Sequence, residues 1–201
     1  MERIFAKPRI VISRCLGFAA CRYNGDMITD PFIESMKPYS NFLPVCPELG
    51  CGLGVPRDPI RVVRTGGKYE LIQPAADRDI TPLMNSFISD YLQNLVSVDG
   101  FILKSGSPSC GLCDVKIYSG KNINSGTSPG GGFFGRAIME RYARIPMEDE
   151  HRLRNFRIRE RFLKAVFSLA RYQHNIVREG VWKKRKVYSR HCPGFHTNPG
   201  K

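Results

Sequence analysis

The chain is predicted to fold as an α/β protein, a Rossmann-like and largely parallel sheet flanked by helices, with a C-terminal helical extension. Three observations predict it. Short runs of β-prone residues recur at Arg9 to Ser13, Phe42 to Val45 and Gly100 to Leu103, each closed by turn formers, as buried strands are. Amphipathic stretches lie between them, and the order strand, helix, strand favours parallel pairing with helices on the sheet faces. At 201 residues the chain is long enough for one substantial core.

The first strand, RIVIS, runs into Cys15, the second, FLPV, into Cys46, and the third, GFIL, leads through the loop KSGSPS to Cys110. The clearest helix lies within Asp79 to Val98: Thr81 is placed to cap it, Pro82 suits its first turn, and Leu83, Phe87, Ile88, Tyr91, Leu92 and Leu95 form its apolar stripe. A glycine-rich connector, SGTSPGGGFFG, precedes a helical stretch, RAIMERYARI. Backbone amides ahead of a helix can cradle phosphate, but this spacing matches neither a P-loop nor a dinucleotide fingerprint, and the segment reads as a connector or strand closure. The last helix is expected from Arg154 to Arg178. Phe162, Val166, Leu169, Ala170, Gln173, Ile176 and Val177 make its inner stripe, with Arg157, Arg161, Lys164, Arg171 and Arg178 largely on other faces. The expected organisation is an α/β domain over 1–144, a helical extension over 145–180 and a basic, turn-rich tail over 181–201.

Composition narrows the function. Hydrophobic residues at 42% and charged residues at 24% are those of a globular protein. The N-terminal apolar run is too short to cross a membrane and lacks a small-residue cleavage site, so a cytoplasmic protein without membrane contact is expected. Seven cysteines, an odd number in such a setting, point to metal-binding or buried thiols rather than disulfides. The formal charge is +13, and Arg136 to Lys201 hold 17 Lys and Arg against 6 Asp and Glu, a net of +11. A basic C-terminal third attracts a polyanion, most simply nucleic acid; a solvated basic face without a function is the plainer alternative.

Loops leaving the carboxyl ends of parallel strands converge on one edge of the sheet. Cys15, Cys46 and Cys110, each following a predicted strand, are therefore expected to meet in space. Zinc sites favour paired short spacings, and here only Cys110 and Cys113 form a CxxC unit. A redox dithiol at that unit would leave Cys15 and Cys46 unexplained. Iron-sulfur clusters depend on thiolate positions in space rather than on sequence spacing, and three thiolates on a four-iron cluster leave one iron open to a soft ligand such as sulfur. Taken singly, each cysteine also fits a small buried apolar position.

The segments SRCLGFAACRYNG, PVCPE and KSGSPSCG together resemble the three signature segments of the thiouracil desulfidase family, and the resemblance runs from about Arg9 to about Arg144. RIPMEDEHRLRNFRIRERFLKAVFSLARYQ resembles the opening of the YbgA-like domain fused to some members, a fusion implicated in removing sulfur from thiouridine in tRNA; from His174 onward the chain does not continue that domain. The resemblance implies a 4Fe-4S cluster held by Cys15, Cys46 and Cys110 with one open iron that receives the sulfur of a thiolated pyrimidine. It makes Glu48 the acid of the Cys-Pro-Glu segment, placed to move a proton, with Ser107 and Ser109 orienting the base or the water. The family's aspartate after the arginine and tyrosine is Asn24 here and receives no acid role. Cys51 and Cys113 are alternative or fourth ligands, Cys21 and Cys192 receive no role, and His191, Cys192 and His196 are incidental. Two further readings stay open: a nonenzymatic nucleic-acid-binding module with a structural metal or cluster, and a disulfide oxidoreductase centred on Cys110 and Cys113.

Overall fold

Residues 6–120 and 126–179 are described by the computed structural model of the chain. In chain order they form β1 (Arg9–Ser13), α1 (Pro31–Met36), β2 (Asn41–Val45), α2 (Pro47–Gly50), β3 (Arg61–Thr65), β4 (Lys68–Gln73), β5 (Arg78–Asp79), α3 (Thr81–Asn94), β6 (Gly100–Leu103), β7 (Val115–Tyr118), β8 (Thr127–Gly130), α4 (Phe133–Arg141), β9 (Met147–Asp149) and α5 (Phe156–Glu179).

The predicted parallel sheet is present, in the order β2-β1-β6-β9, with every pairing parallel. Alternation along its strands divides the core. Val11, Val45, Phe101 and Leu103 face one side, packing with Met84, Ile88 and Leu92 of α3 and Phe134 and Ile138 of α4. Ile10, Ile12 and Ile102 face the other, against Ile33 and Met36 of α1 and Phe162 and Val166 of α5. Each fully buried side chain of this kind contributes about 1.5–3 kcal/mol, so helices on both faces are bound to the sheet.

A second sheet, β5-β4-β3-β7-β8, is mixed and joins the first core through Val62, Leu71, Val115 and Ile117. It was not predicted. Its leading hairpin pairs Thr65 with Lys68 across Gly66 and Gly67, both at positive φ, as a tight two-residue hairpin turn requires.

Local details adjust the predicted elements. Thr81 does not cap α3: Ile80 holds the N-cap position, Thr81 Oγ1 accepts from the Leu71 amide at 2.7 Å, and the Thr81 amide donates to Asp79 Oδ1 at 2.8 Å. Leu83, expected on the apolar stripe, is 40% exposed, and Met84 is buried in its place. Asn155 caps α5, its Oδ1 accepting from the amides of Arg157 and Ile158. Residues 147–149, expected in a helical extension, form β9, which pairs with β6 from Phe101–Met147 to Leu103–Asp149. The carboxyl end of this fourth parallel strand therefore reaches the same edge as the other three. The predicted tail over 181–201 lies outside the described residues.

Candidate active site

The strand ends deliver their cysteines as the topology requires. Register brings Ser13 beside Val45 and Ile12 beside Ile102, so the residues that follow share one rim. There, Cys15, Cys46 and Cys110 line one cavity of about 190 Å³ together with Cys21, Glu48, Arg57, Lys104 and Ser107. Two hydrogen bonds fix the rim: the Lys104 amide donates to Ser13 Oγ at 2.8 Å, and the Arg14 amide to the Val45 carbonyl at 2.8 Å.

The loop carrying Cys110 is held from within and from behind. Ser107 Oγ accepts from the amides of Ser109 at 3.3 Å and Cys110 at 3.0 Å, a serine turn that settles its backbone. Behind it, the amides of Gly132, Phe133 and Gly135 donate to the carbonyls of Gly111, Pro108 and Ser109. These amides are thus committed to the cysteine loop rather than free for phosphate, and the glycine-rich connector is a packing element.

Glu48 is held at both oxygens. Ser109 Oγ donates to Oε1 at 2.8 Å and Arg57 Nη2 donates to Oε2. The Arg57 and Glu48 side chains are only 6% and 13% exposed, so their pairing is partly desolvated and directional. Arg57 also donates to the carbonyls of Cys21 at 3.1 Å and Gly54 at 3.0 Å. Ser109 itself is buried and reaches the site through Glu48. Lys104, also in the lining, donates from Nζ to Glu150 Oε1 at 2.6 Å and to Ser105 Oγ at 3.0 Å, while the Ser105 amide donates to Glu150 Oε2 at 2.8 Å.

The thiols are electrostatically crowded. Burial, with the neighbouring Cys46 next, pushes the Cys15 thiol up to about 11, while Lys104 opposes the shift. Burial and then Cys46 push Cys21 up to about 12. Burial also raises Cys110 well above the ordinary range, and a hydrogen bond with Ser13 partly offsets it. With their deprotonation opposed in this way, Cys15, Cys21 and Cys110 need a positive centre beside them to become thiolates, and a metal cluster is one such centre. Among the described residues no group of three or more His, Cys, Asp or Glu side chains is arranged as a metal-ion site.

The structure also sorts the remaining cysteines. Cys51 lies outside the cavity lining and donates to the Glu48 carbonyl at 3.3 Å. Cys113 is disulfide-bonded whereas Cys110 is a free thiol, so the two do not form a redox dithiol with each other. Cys15, Cys21, Cys46 and Cys51 are free thiols as well, in the way the composition suggested; Cys113 departs from it. Cys192, His191 and His196 lie outside the described residues. Sequence reasoning missed Cys21, Arg57, Lys104 and Glu150. A signal existed for Cys21, six residues after Cys15 in the same segment, and for Lys104, which directly follows a predicted strand; Arg57 and Glu150 gave none.

The 2-thiouracil desulfurase family model matches residues 10–150, the span that contains every cavity residue named above. YbbK of Bacillus subtilis (strain 168), an uncharacterized protein, is 32% identical over 123 residues, which cover 57% of this chain and 82% of that protein. The solved structure of a 4Fe-4S-dependent thiouracil desulfidase, TudS, is similar with a TM-score of 0.58 at 26% identity, covering 73% of this chain and 93% of that one. With most of its length and the whole of its cavity inside the match, the chain belongs to the 2-thiouracil desulfurase family of enzymes.

Proposed function

We propose that the chain removes sulfur from a thiolated pyrimidine by hydrolysis, that Cys15, Cys46 and Cys110 hold a 4Fe-4S cluster for this purpose, and that thiouridine in tRNA is preferred to free thiouracil. The carrying observation is the meeting of three strand-end thiols with Glu48 and Ser107 around one cavity. The similar TudS structure is of a 4Fe-4S-dependent desulfidase, which supports the choice of cluster. When bound, a cluster held by three thiolates supplies an iron with an open position, a soft Lewis acid suited to thiocarbonyl sulfur.

The protein's own groups supply the rest. Glu48, a carboxylate held by Arg57 and Ser109, accepts a proton from the water that adds to the thiocarbonyl carbon. Ser107 Oγ uses its acceptor side for two backbone amides, leaving its hydroxyl proton for the pyrimidine or the water. Lys104, anchored by Glu150, keeps positive charge beside Cys15 where anionic sulfur departs. The C=S bond is exchanged for C=O, one water is consumed, hydrosulfide leaves, and no electrons are transferred.

The preference for tRNA rests on charge. Arg157, Arg161, Lys164 and Arg171 are exposed on α5, within the region of net charge +11, and a polyanion is held by such a surface in proportion to its phosphates. The test is anaerobic reconstitution with iron and sulfide, then hydrosulfide release from thiouracil and from thiolated tRNA across a salt series, with Cys15→Ala alongside. Release that needs the cluster and Cys15 is expected, with activity on tRNA falling steeply with salt and activity on the free base hardly changing. Full activity without a cluster refutes the mechanism; equal salt sensitivity refutes the tRNA preference. A cluster that assembles but releases nothing from either substrate identifies a binding module.

A further inference from the structure

Cys21 is the fourth thiol of the cavity. It is 2% exposed and a free thiol, yet it belongs to neither apolar cluster of the core. It lines the cavity, and its side chain is hydrogen-bonded with that of Cys46. The backbone around it is fixed: its amide donates to the Ala19 carbonyl at 2.9 Å, and its carbonyl accepts from Arg57 at 3.1 Å. A buried free thiol on a fixed stretch of backbone, lining one cavity with three other thiols, is placed as a ligand is placed.

We propose that Cys21 is a fourth thiolate to the cluster in the substrate-free protein, capping the iron that Cys15, Cys46 and Cys110 leave open. The inference rests on the cluster-dependent reading above. Cys51, directed at the Glu48 carbonyl, and Cys113, disulfide-bonded, do not compete for the position. A cap of this kind guards the labile iron against oxidative loss and yields to another soft donor, the thiocarbonyl sulfur, when substrate enters. The site is then closed at rest and open in turnover.

The test reads the cluster itself. Wild type, Cys21→Ser, Cys21→Ala and Cys51→Ser are reconstituted anaerobically, checked for folding by near-ultraviolet circular dichroism, and treated with limiting ferricyanide without substrate. Iron content and the low-temperature electron paramagnetic resonance signal of a three-iron cluster are then measured. Wild type and C51S are expected to keep their full iron complement without that signal, while C21S and C21A lose one iron and develop it. A three-iron signal in wild type as strong as in the Cys21 variants overturns the inference, and so does its absence from all four proteins. Folded C21S and C21A that take up no cluster also overturn it, by making Cys21 an essential ligand rather than a cap. Wild-type protein that takes up no iron refutes the cluster-dependent reading and this inference with it.

Discussion

Gly135→Ala probes how firmly the Cys110 loop is seated. Gly135 lies in the first turn of α4, and a Cβ built there falls 2.2 Å from the Gly111 carbonyl oxygen and 2.8 Å from that of Cys110. Two effects oppose each other. Helix propensity alone favours alanine over glycine by about 1 kcal/mol. Contacts under 3.0 Å force a shift, so helix or loop must retreat by at least 3.0 − 2.2 = 0.8 Å, and both clashing atoms are main-chain atoms. Overpacking of this sort costs about 1–3 kcal/mol, and a backbone obstacle belongs at the upper end, giving a net loss of about 2 kcal/mol. For a chain of this size that lowers Tm by about 4–8 °C. The same retreat displaces Cys110, and because misplacing a reacting group by about 1 Å costs up to roughly 10²-fold, hydrosulfide release should fall about tenfold or more. Thermal unfolding and the release assay are compared with Gly54→Ala, where the added Cβ meets nothing within 4 Å. A G135A protein that melts at or above the wild-type temperature refutes the packing argument.

Glu48→Gln preserves shape but removes the proton acceptor; release from thiouracil is expected to fall by about 10²–10⁴-fold while iron uptake on reconstitution is unchanged. Arg57→Ala strands the Glu48 charge in a nearly buried pair and should destabilise the fold by about 3 kcal/mol in urea titrations, with part of the loss recovered in the double variant R57A/E48Q. Glu150→Gln removes the counter-charge of Lys104 while the Lys104 contacts with Ser105 remain; stability should drop by about 1–2 kcal/mol, read from the urea midpoint.

The parallel sheet was legible because its strands are short apolar runs of β-prone residues that stop at turn formers: Arg9–Ser13 and Gly100–Leu103 emerged with the predicted limits. Their common direction also brought Cys15, Cys46 and Cys110 to one edge before any contact was known. The second sheet was less legible, since Arg61, Arg64, Lys68 and Glu70 interrupt its apolar pattern, although RTGGK carries a hairpin signal. Thr81 misled because a hydroxyl next to a helix start can serve a neighbouring strand instead, here the Leu71 amide. Arg57 could not be found because its role depends on a return from beyond α2 to Glu48, a contact without local periodicity. Glu150 was hidden in a stretch whose strand spans only three residues, too few for alternation to register.

Helix α5 has 24 residues and is therefore about 36 Å long. Phe162 and Val166 pack it against the face of the parallel sheet formed by Ile10, Ile12 and Ile102, and only residues 150–155 separate it from β9. Within that short connection Arg152–Arg154 form a single helical turn. On the tRNA preference proposed above, α5 works as a measuring bar: a polyanion that grips its arginines stands at a set distance from the cavity mouth and is selected by reach. An insertion ahead of Asn155 would blunt that selectivity while leaving the chemistry on a small free base intact.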